Sequence, residues 1–437
     1  MNRYFQFKYF VVMMFLAAAL TGCSTASHPK AVANSVRIQG VKGDWYLTVN
    51  GKRFDIKGAG VGRRQSRDGA VDYLSMAVDL GANTVRTWGT VQGDRQYLDT
   101  AHAYGLYVDA GVWLNPVRKG YHGSYRDKSY CAKVRRRTLK YIKEFKDHPA
   151  VILWNIGNET IYWTESETER VAFARFLESL IQDIHAIDPD HPVVYATSFT
   201  TAVPYIKKYV PSLDILGVNV YGGIKSAHEK IIDSLDIPYL ITEYGPPGNW
   251  DQPKDRFGKP VEPTDESQVY FYKRYTKEIE MLKGYCLGAF VFHLGETTQV
   301  SATWWNINYK QFKKPSFWAV KEMLTGIKSE HPLPSIRSLV LSKTVGLRPG
   351  EQFSIMPKLA REHDGVIHFK YFYSTSSDEV GLVEFPNDEL PLDVRTGGAE
   401  TFINAPEKPG LYRVYVLAHD DHGNASTLNR VIEVVNP

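Results

Sequence analysis

The chain has 437 residues, of which 43% are apolar and 23% charged, a length for two or three domains and a balance that excludes a fibrous repeat or a wholly disordered chain. Lys and Arg number 52 against 48 Asp and Glu, a net charge of +4, so no nucleic-acid partner is expected. The one basic run, Lys133–Arg137, lies in a helical pattern and reads as a solvated helix face.

Arg3 and Lys8 precede an apolar run from Tyr9 to Leu20, short for a bilayer span and shaped like a secretory leader. The run ends in Leu20-Thr21-Gly22-Cys23, which resembles the lipobox of bacterial lipoproteins. That resemblance implies that residues 1–22 are removed, that Cys23 is lipidated and that the chain is anchored to a membrane. With Ser24 after the Cys and no Asp there, it points to the outer membrane of a Gram-negative envelope. Residues 23–35 are small and polar and read as a tether. Cys131 and Cys286 are the remaining cysteines. They form no disulfide framework and no zinc-spaced cluster, so neither metal nor cofactor is expected.

From Phe54 to Leu324 short apolar, β-branched runs alternate with segments of helical period. The strands are expected at Phe54–Ala59, Thr84–Thr87, Tyr107–Trp113, Val151–Ile156, Val193–Thr197, Ile215–Val220, Tyr239–Thr242 and Gly288–Phe292. Between them Val71, Leu74 and Val78 share a helical face, as do Val134, Tyr141 and Phe145, and Phe173, Phe176, Leu177, Leu180 and Ile184. Eight such units predict a (β/α)8 TIM barrel over residues 36–330, with Gly43–Asn50 as a hairpin closing its floor. A doubly wound sheet would carry a Gly-rich turn leading into a helix, whereas Gly58-Ala59-Gly60-Val61-Gly62 runs into Arg63-Arg64-Gln65.

Pro332 and Pro334 mark a linker, and alternating runs at Phe353–Leu359, Val366–Tyr373 and Leu411–Ala418 follow. They predict an immunoglobulin-like β-sandwich over residues 335–437. Asp420-Asp421-His422-Gly423-Asn424 lacks EF-hand spacing and reads as a hairpin turn.

In such a barrel, chemistry sits at the C-terminal ends of the strands. Those ends carry Arg86, Trp113, Asn158, Glu159, Tyr221, Glu243 and His293. Glu159 directly follows the fourth strand and Glu243 the seventh, on facing sides of the mouth. Two facing carboxyls are the minimum apparatus for cutting a glycosidic bond, one protonated and one ionised. The same residues would also serve as ordinary ion-pair partners of Arg86. Trp113, Trp163, Trp250, Trp304 and Trp305 fall in mouth loops, as subsite walls or as aromatics holding long loops down. The Pro-rich loop Tyr244–Asp265 is the expected shaper of substrate length.

Trp154-Asn155-Ile156-Gly157-Asn158-Glu159 and Ile241-Thr242-Glu243-Tyr244-Gly245 resemble the acid/base and nucleophile motifs of clan A glycoside hydrolases, which include families 2 and 5. Gly81-Ala82-Asn83-Thr84-Val85-Arg86-Thr87-Trp88 is similar to their second strand, and Asn219-Val220-Tyr221-Gly222-Gly223 to their sixth. The resemblance covers Gly43–Gly326 and implies Glu159 as acid/base, Glu243 as nucleophile and Asn158 on the sugar 2-hydroxyl. Arg86 and Tyr221 would hold Glu243, giving a raised pKa at Glu159 and a lowered one at Glu243. Departures are visible too. Family 2 enzymes usually carry sandwich domains ahead of the barrel. Many clan A barrels place a Trp after strand eight, where this chain has His293, either a sugar donor or a packed residue. No Asn-x-Lys-Gly word of β-glucuronidases occurs, so a uronic-acid substrate is not indicated.

The expected protein is an anchored retaining β-glycoside hydrolase with a carbohydrate substrate and an oligomeric state that the sequence does not specify. The alternatives are a transglycosylase, since fungal β-1,3-glucanosyltransferases share a similar nucleophile word, and a non-catalytic glycan-binding lipoprotein.

Overall fold

The computed structural model describes residues 33–89, 94–296, 299–361, 365–375 and 400–436; the expected leader and the expected lipidation site Cys23 lie outside them. Eight parallel strands close a barrel: β1 (Ile56–Gly60), β2 (Thr84–Arg86), β3 (Tyr107–Val112), β4 (Val151–Asn158), β5 (Val193–Ser198), β6 (Ile215–Val220), β7 (Tyr239–Tyr244) and β8 (Cys286–Val291). Neighbours in sequence are neighbours in the barrel, and β8 pairs with β1. Every strand is buried over most of its length, as parallel strands covered by helices must be. The helix Glu167–Ile187 buries Phe173, Phe176, Leu177, Leu180 and Ile184, the face its period marks out. The helix Tyr73–Leu80 departs from expectation at Val78, which is 45% exposed.

The floor is a three-stranded antiparallel sheet, Val36–Gln39, Tyr46–Val49 and Lys52–Phe54, one strand more than the hairpin expected. Asn50 and Gly51 turn between the last two with φ of 53° and 76°, the positive values that suit a two-residue Asn-Gly hairpin loop. Val36, Trp45, Leu47 and Val49 cap an apolar plug of Ile56, Ile152, Val194, Ile215, Leu240 and Phe290. Asn34 and Ser35, placed by the sequence in a tether, are instead docked here. Asn34 Nδ2 donates to the carbonyls of Pro149 at 2.7 Å and Val151 at 3.0 Å, and Ser35 pairs with Asn50.

Beyond the barrel come β9 (Ile336–Leu341), β10 (Gln352–Leu359), β11 (His368–Thr375), β12 (Thr401–Asn404), β13 (Gly410–His419) and β14 (Ala425–Val434). They form two antiparallel sheets, ordered β9-β10-β12 and β11-β13-β14. Ile336, Phe353 and Ile355 of one meet Tyr371, Val414, Val416 and Leu428 of the other in a single core. Residues 420–424 make the expected hairpin turn, with Asp420 Oδ1 accepting from the amides of His422 and Asn424.

The sandwich is packed on the barrel and not held off by a linker: the described residues of both form one compact unit. At the junction Lys314 and Asp265 are both buried, with Nζ 3.3 Å from Oδ1. Asp265 Oδ2 accepts from Ser426 Oγ and the Thr427 amide of β14, and Lys314 also donates to Thr303 O and Gln268 Oε1. Removing one member of such a pair strands a charge out of water. An Asp265→Ala protein is therefore expected to lose about 3–5 kcal/mol of stability, read as a lower urea midpoint; an unchanged midpoint would contradict a buried charged pair.

Candidate active site

The mouth is built from strand ends. At the end of β4 the chain turns into the short helix Thr160–Trp163 through Glu159, whose φ of 53° lies in the left-handed region. A non-glycine residue held there is strained by about 1–3 kcal/mol, and such strain gathers at functional sites. Asn219 on β6, Tyr221 just past it, Glu243 on β7 and Arg86 at the end of β2 complete the ring.

Glu243 is buried and surrounded by donors. Its Oε1 accepts from Arg86 Nη1 at 2.8 Å and Trp88 Nε1 at 2.7 Å, and its Oε2 from the Tyr221 hydroxyl at 2.7 Å. Glu159 has a different setting. Its Oε1 accepts from Asn219 Nδ2 at 2.9 Å and its Oε2 from Trp163 Nε1 at 2.9 Å, both neutral donors. Loss of water around it, and then the charge of Glu243, push its carboxyl up to about 7. Burial and the charge of Glu243 also hold Tyr221 well above the ordinary phenol range, so it stays a donor.

One chain of hydrogen bonds joins the two carboxyls. Asn158 Oδ1 accepts from Arg86 Nη2 at 2.8 Å and from Asn219 Nδ2 at 3.1 Å, while Thr242 Oγ1 fixes Asn219 by donating to its Oδ1 at 2.8 Å. With both bonds on its oxygen, the Asn158 NH2 is the end left for a ligand. Beneath, the buried Asp109 lies 3.8 Å from Arg86 Nε, and burial raises its carboxyl to about 6 against the pull of that cation.

Of the residues expected here, Glu159, Glu243, Arg86, Asn158, Tyr221 and Trp163 are brought together. Trp88 and Asn219 join them without having been singled out. Each lies two positions from a predicted site residue, Arg86 and Tyr221, and period two along a strand was the signal for them. Trp113 is half-buried and packs against Gly89, with no contact to either carboxyl. Trp250, on a single 3-10 turn in the loop after β7, is 59% exposed, its ring 5.9 Å from that of Tyr221.

Two expectations are corrected. Trp304 is not a mouth wall. It is fully buried among Phe292, Val300 and Trp305, and its Nε1 reaches Pro247 O at 3.4 Å. Trp305 is buried with it, its ring 4.8 Å from Tyr221. His293 takes the packed alternative. It is buried beside Trp88, with Nδ1 3.3 Å from Asn306 Oδ1, and burial holds it down to about 4, so it is neutral.

Trp304 is drawn in by a buried hub at Glu262. Its Oε1 accepts from Thr303 Oγ1 at 2.6 Å, and its Oε2 from Ser301 Oγ at 2.6 Å and from Asn429 Nδ2 of the sandwich. Arg413 of the sandwich holds Asn429 Oδ1 at 2.9 Å and Pro260 O at 3.0 Å. Two mouth loops, after β7 and after β8, are thus fastened together and to the second domain.

The model of glycosyl hydrolases family 2, TIM barrel domain, matches residues 41–280. A putative beta-glucuronidase of Formosa agariphila is 25% identical over 223 residues, 46% of this chain and 24% of its own length. A beta-galactosidase of Oenococcus oeni is 27% identical over 128 residues, 26% of this chain and 12% of its own. The crystal structure of Bacteroides uniformis beta-glucuronidase superposes with a TM-score of 0.50 at 15% identity, over 92% of this chain and 48% of that one. The Faecalibacterium prausnitzii beta-glucuronidase gives 0.52 at 20% identity, over 67% and 52%. These likenesses are of fold, and the chain spans no more than 24% of the two curated relatives named.

The raised Glu159 carboxyl has a consequence for stability. Near its ordinary value of 4.5 the unfolded chain ionises while the folded chain does not, so the folded state loses stability from there up to about pH 7 and the loss is constant above. Glu159→Gln escapes this penalty. Its urea midpoint, relative to wild type, is expected to rise between pH 4 and pH 8; a difference that does not move with pH would contradict the shift.

Proposed function

Because the chain belongs to the glycosyl hydrolases of family 2, through their TIM barrel domain, we propose that it hydrolyses β-glycosidic bonds of an oligo- or polysaccharide with retention of configuration. Glu243 is the nucleophile and Glu159 the acid/base. The observation that carries this reading is the unequal setting of the two carboxyls. Glu243 receives a guanidinium, an indole N–H and a phenol, whereas Glu159 has two neutral donors and a proton held to about pH 7.

In the first step a Glu243 oxygen attacks the anomeric carbon while Glu159 gives its proton to the departing oxygen, leaving a glycosyl ester. Ionised Glu159 then takes a proton from water, the water oxygen attacks the same carbon, and Glu243 leaves as carboxylate. Asn158 NH2 is the donor for the 2-hydroxyl, a bond that strengthens in the transition state. Arg86, Trp88 and Tyr221 hold the nucleophile aimed through three hydrogen bonds to its oxygens.

The relatives named beta-glucuronidase and beta-galactosidase indicate a hexopyranoside at the cleaved bond. Absence of the Asn-x-Lys-Gly word favours a neutral sugar on the glycone side. The leader and Cys23 support attachment of this activity to the cell envelope.

Glu243→Ala is expected to abolish turnover, with azide restoring part of it and yielding product of inverted configuration; full activity in that variant would refute the assignment. On the alkaline side kcat/KM should fall tenfold per pH unit above about 7, as Glu159 loses its proton. Glu159→Gln should lower kcat by about 10²–10⁴ on substrates with poor leaving groups and erase that limb. Trp88→Phe, which removes one donor to a charged oxygen, should lower kcat by about 10-fold or more; an unaltered kcat would mean that this bond is idle.

A further inference from the structure

On the side of Glu159 away from the Asn219 bond lies the Trp163 indole, and over that indole sits Arg118, its guanidinium carbon 4.9 Å from the ring centroid. The loop that carries it is clamped in place. The Val117 amide donates to Thr164 Oγ1 and the Glu165 amide to Val117 O, both at 3.1 Å, and Thr160 Oγ1 donates to Leu114 O at 2.9 Å. Arg118 is half-buried and its Nε is sealed from water without a hydrogen-bond partner. Among the described residues no carboxylate comes within ion-pair distance of it. Lys119 and Arg126 on the same loop are exposed cations. The one acid of residues 113–127 is Asp127, engaged in capping the helix Lys128–Phe145 by accepting from the Ser129 amide at 2.7 Å.

An arginine stacked on an aromatic face and free of protein carboxylates keeps its forked N–H edge for a ligand. Stacking fixes the plane and removes water from one side, which strengthens each bond to an anion. One face of the Trp163 indole is here covered by a cation.

We propose that Arg118, seated on Trp163, receives a carboxylate or sulfate on the leaving-group sugar, so that the acid/base side of the cleft selects acidic glycans. The inference rests on Glu159 as the acid/base, because the departing sugar lies against that residue. It gives the two sides of the cleft different preferences, neutral at the glycone and anionic at the leaving group.

The test is a binding measurement, which needs no turnover. Free glucuronate, glucose 6-sulfate and glucose are titrated by NMR into the full chain carrying Glu243→Ala, alone and together with Arg118→Gln or Arg118→Lys. The expected result is that at least one anion binds about tenfold tighter than glucose, that Arg118→Gln removes the difference and that Arg118→Lys keeps part of it. A preference confined to glucuronate or to the sulfate names the group. Glucose binding as tightly as both anions, or a preference that survives Arg118→Gln, would overturn the proposal. Failure of the catalytic reading would show separately, as turnover persisting in the Glu243→Ala protein.

Discussion

A guanidinium sealed inside a barrel has to be neutralised, and Arg86 organises the mouth by that demand. One nitrogen faces Glu243 and the Thr242 carbonyl, another faces Asn158, and Asp109 lies below. The hydrogen-bond chain between the two carboxyls starts from this cation. Arg86 donates to Glu243, orients Asn158, and through Asn158 and Asn219 reaches the oxygen of Glu159. The same cation counts among the groups that pull the Glu159 carboxyl down, yet loss of water and the charge of Glu243 outweigh it. Two glutamates a few bonds apart in one network thereby sit in unequal settings, Glu243 ringed by a guanidinium, an indole and a phenol, and Glu159 by two neutral donors.

The aromatic side of the mouth is organised from outside the barrel. Trp304 and Trp305 lie on a loop whose polar groups close on Glu262, and Glu262 is reached by Asn429 from the sandwich. Tyr415 of the sandwich accepts from the Ala302 amide, and its ring packs near Phe312 and Tyr309. The second domain therefore shapes the wall beside Tyr221 without contributing a side chain to the carboxyl network. Trp250, outside this fastening, keeps an open face.

The barrel was legible because buried parallel strands leave continuous apolar runs, and the strand-end residues could then be counted off by topology. Glu159, Glu243, Arg86, Asn158 and Tyr221 were placed in this way. The misplaced residues lie where the chain has no period. Trp304 reads as a mouth residue because it follows strand eight, and only the buried partners Glu262, Ser301 and Asn429, up to 167 positions apart in the chain, turn it inward. His293 offered two readings, and the cavity formed by Trp88 and Asn306 decided between them. Trp88 and Asn219 were visible inside the quoted words, yet nothing short of the folded rim shows which carboxyl each one meets. The docking of Asn34 was hidden for a similar reason, since its partners Pro149 and Val151 are remote in sequence.

The position of Asn34 also bears on how the molecule addresses its surroundings. The described chain enters at the closed base of the barrel, the pole opposite the opening. Whatever precedes residue 33 therefore joins the described body on the side away from Glu159 and Glu243.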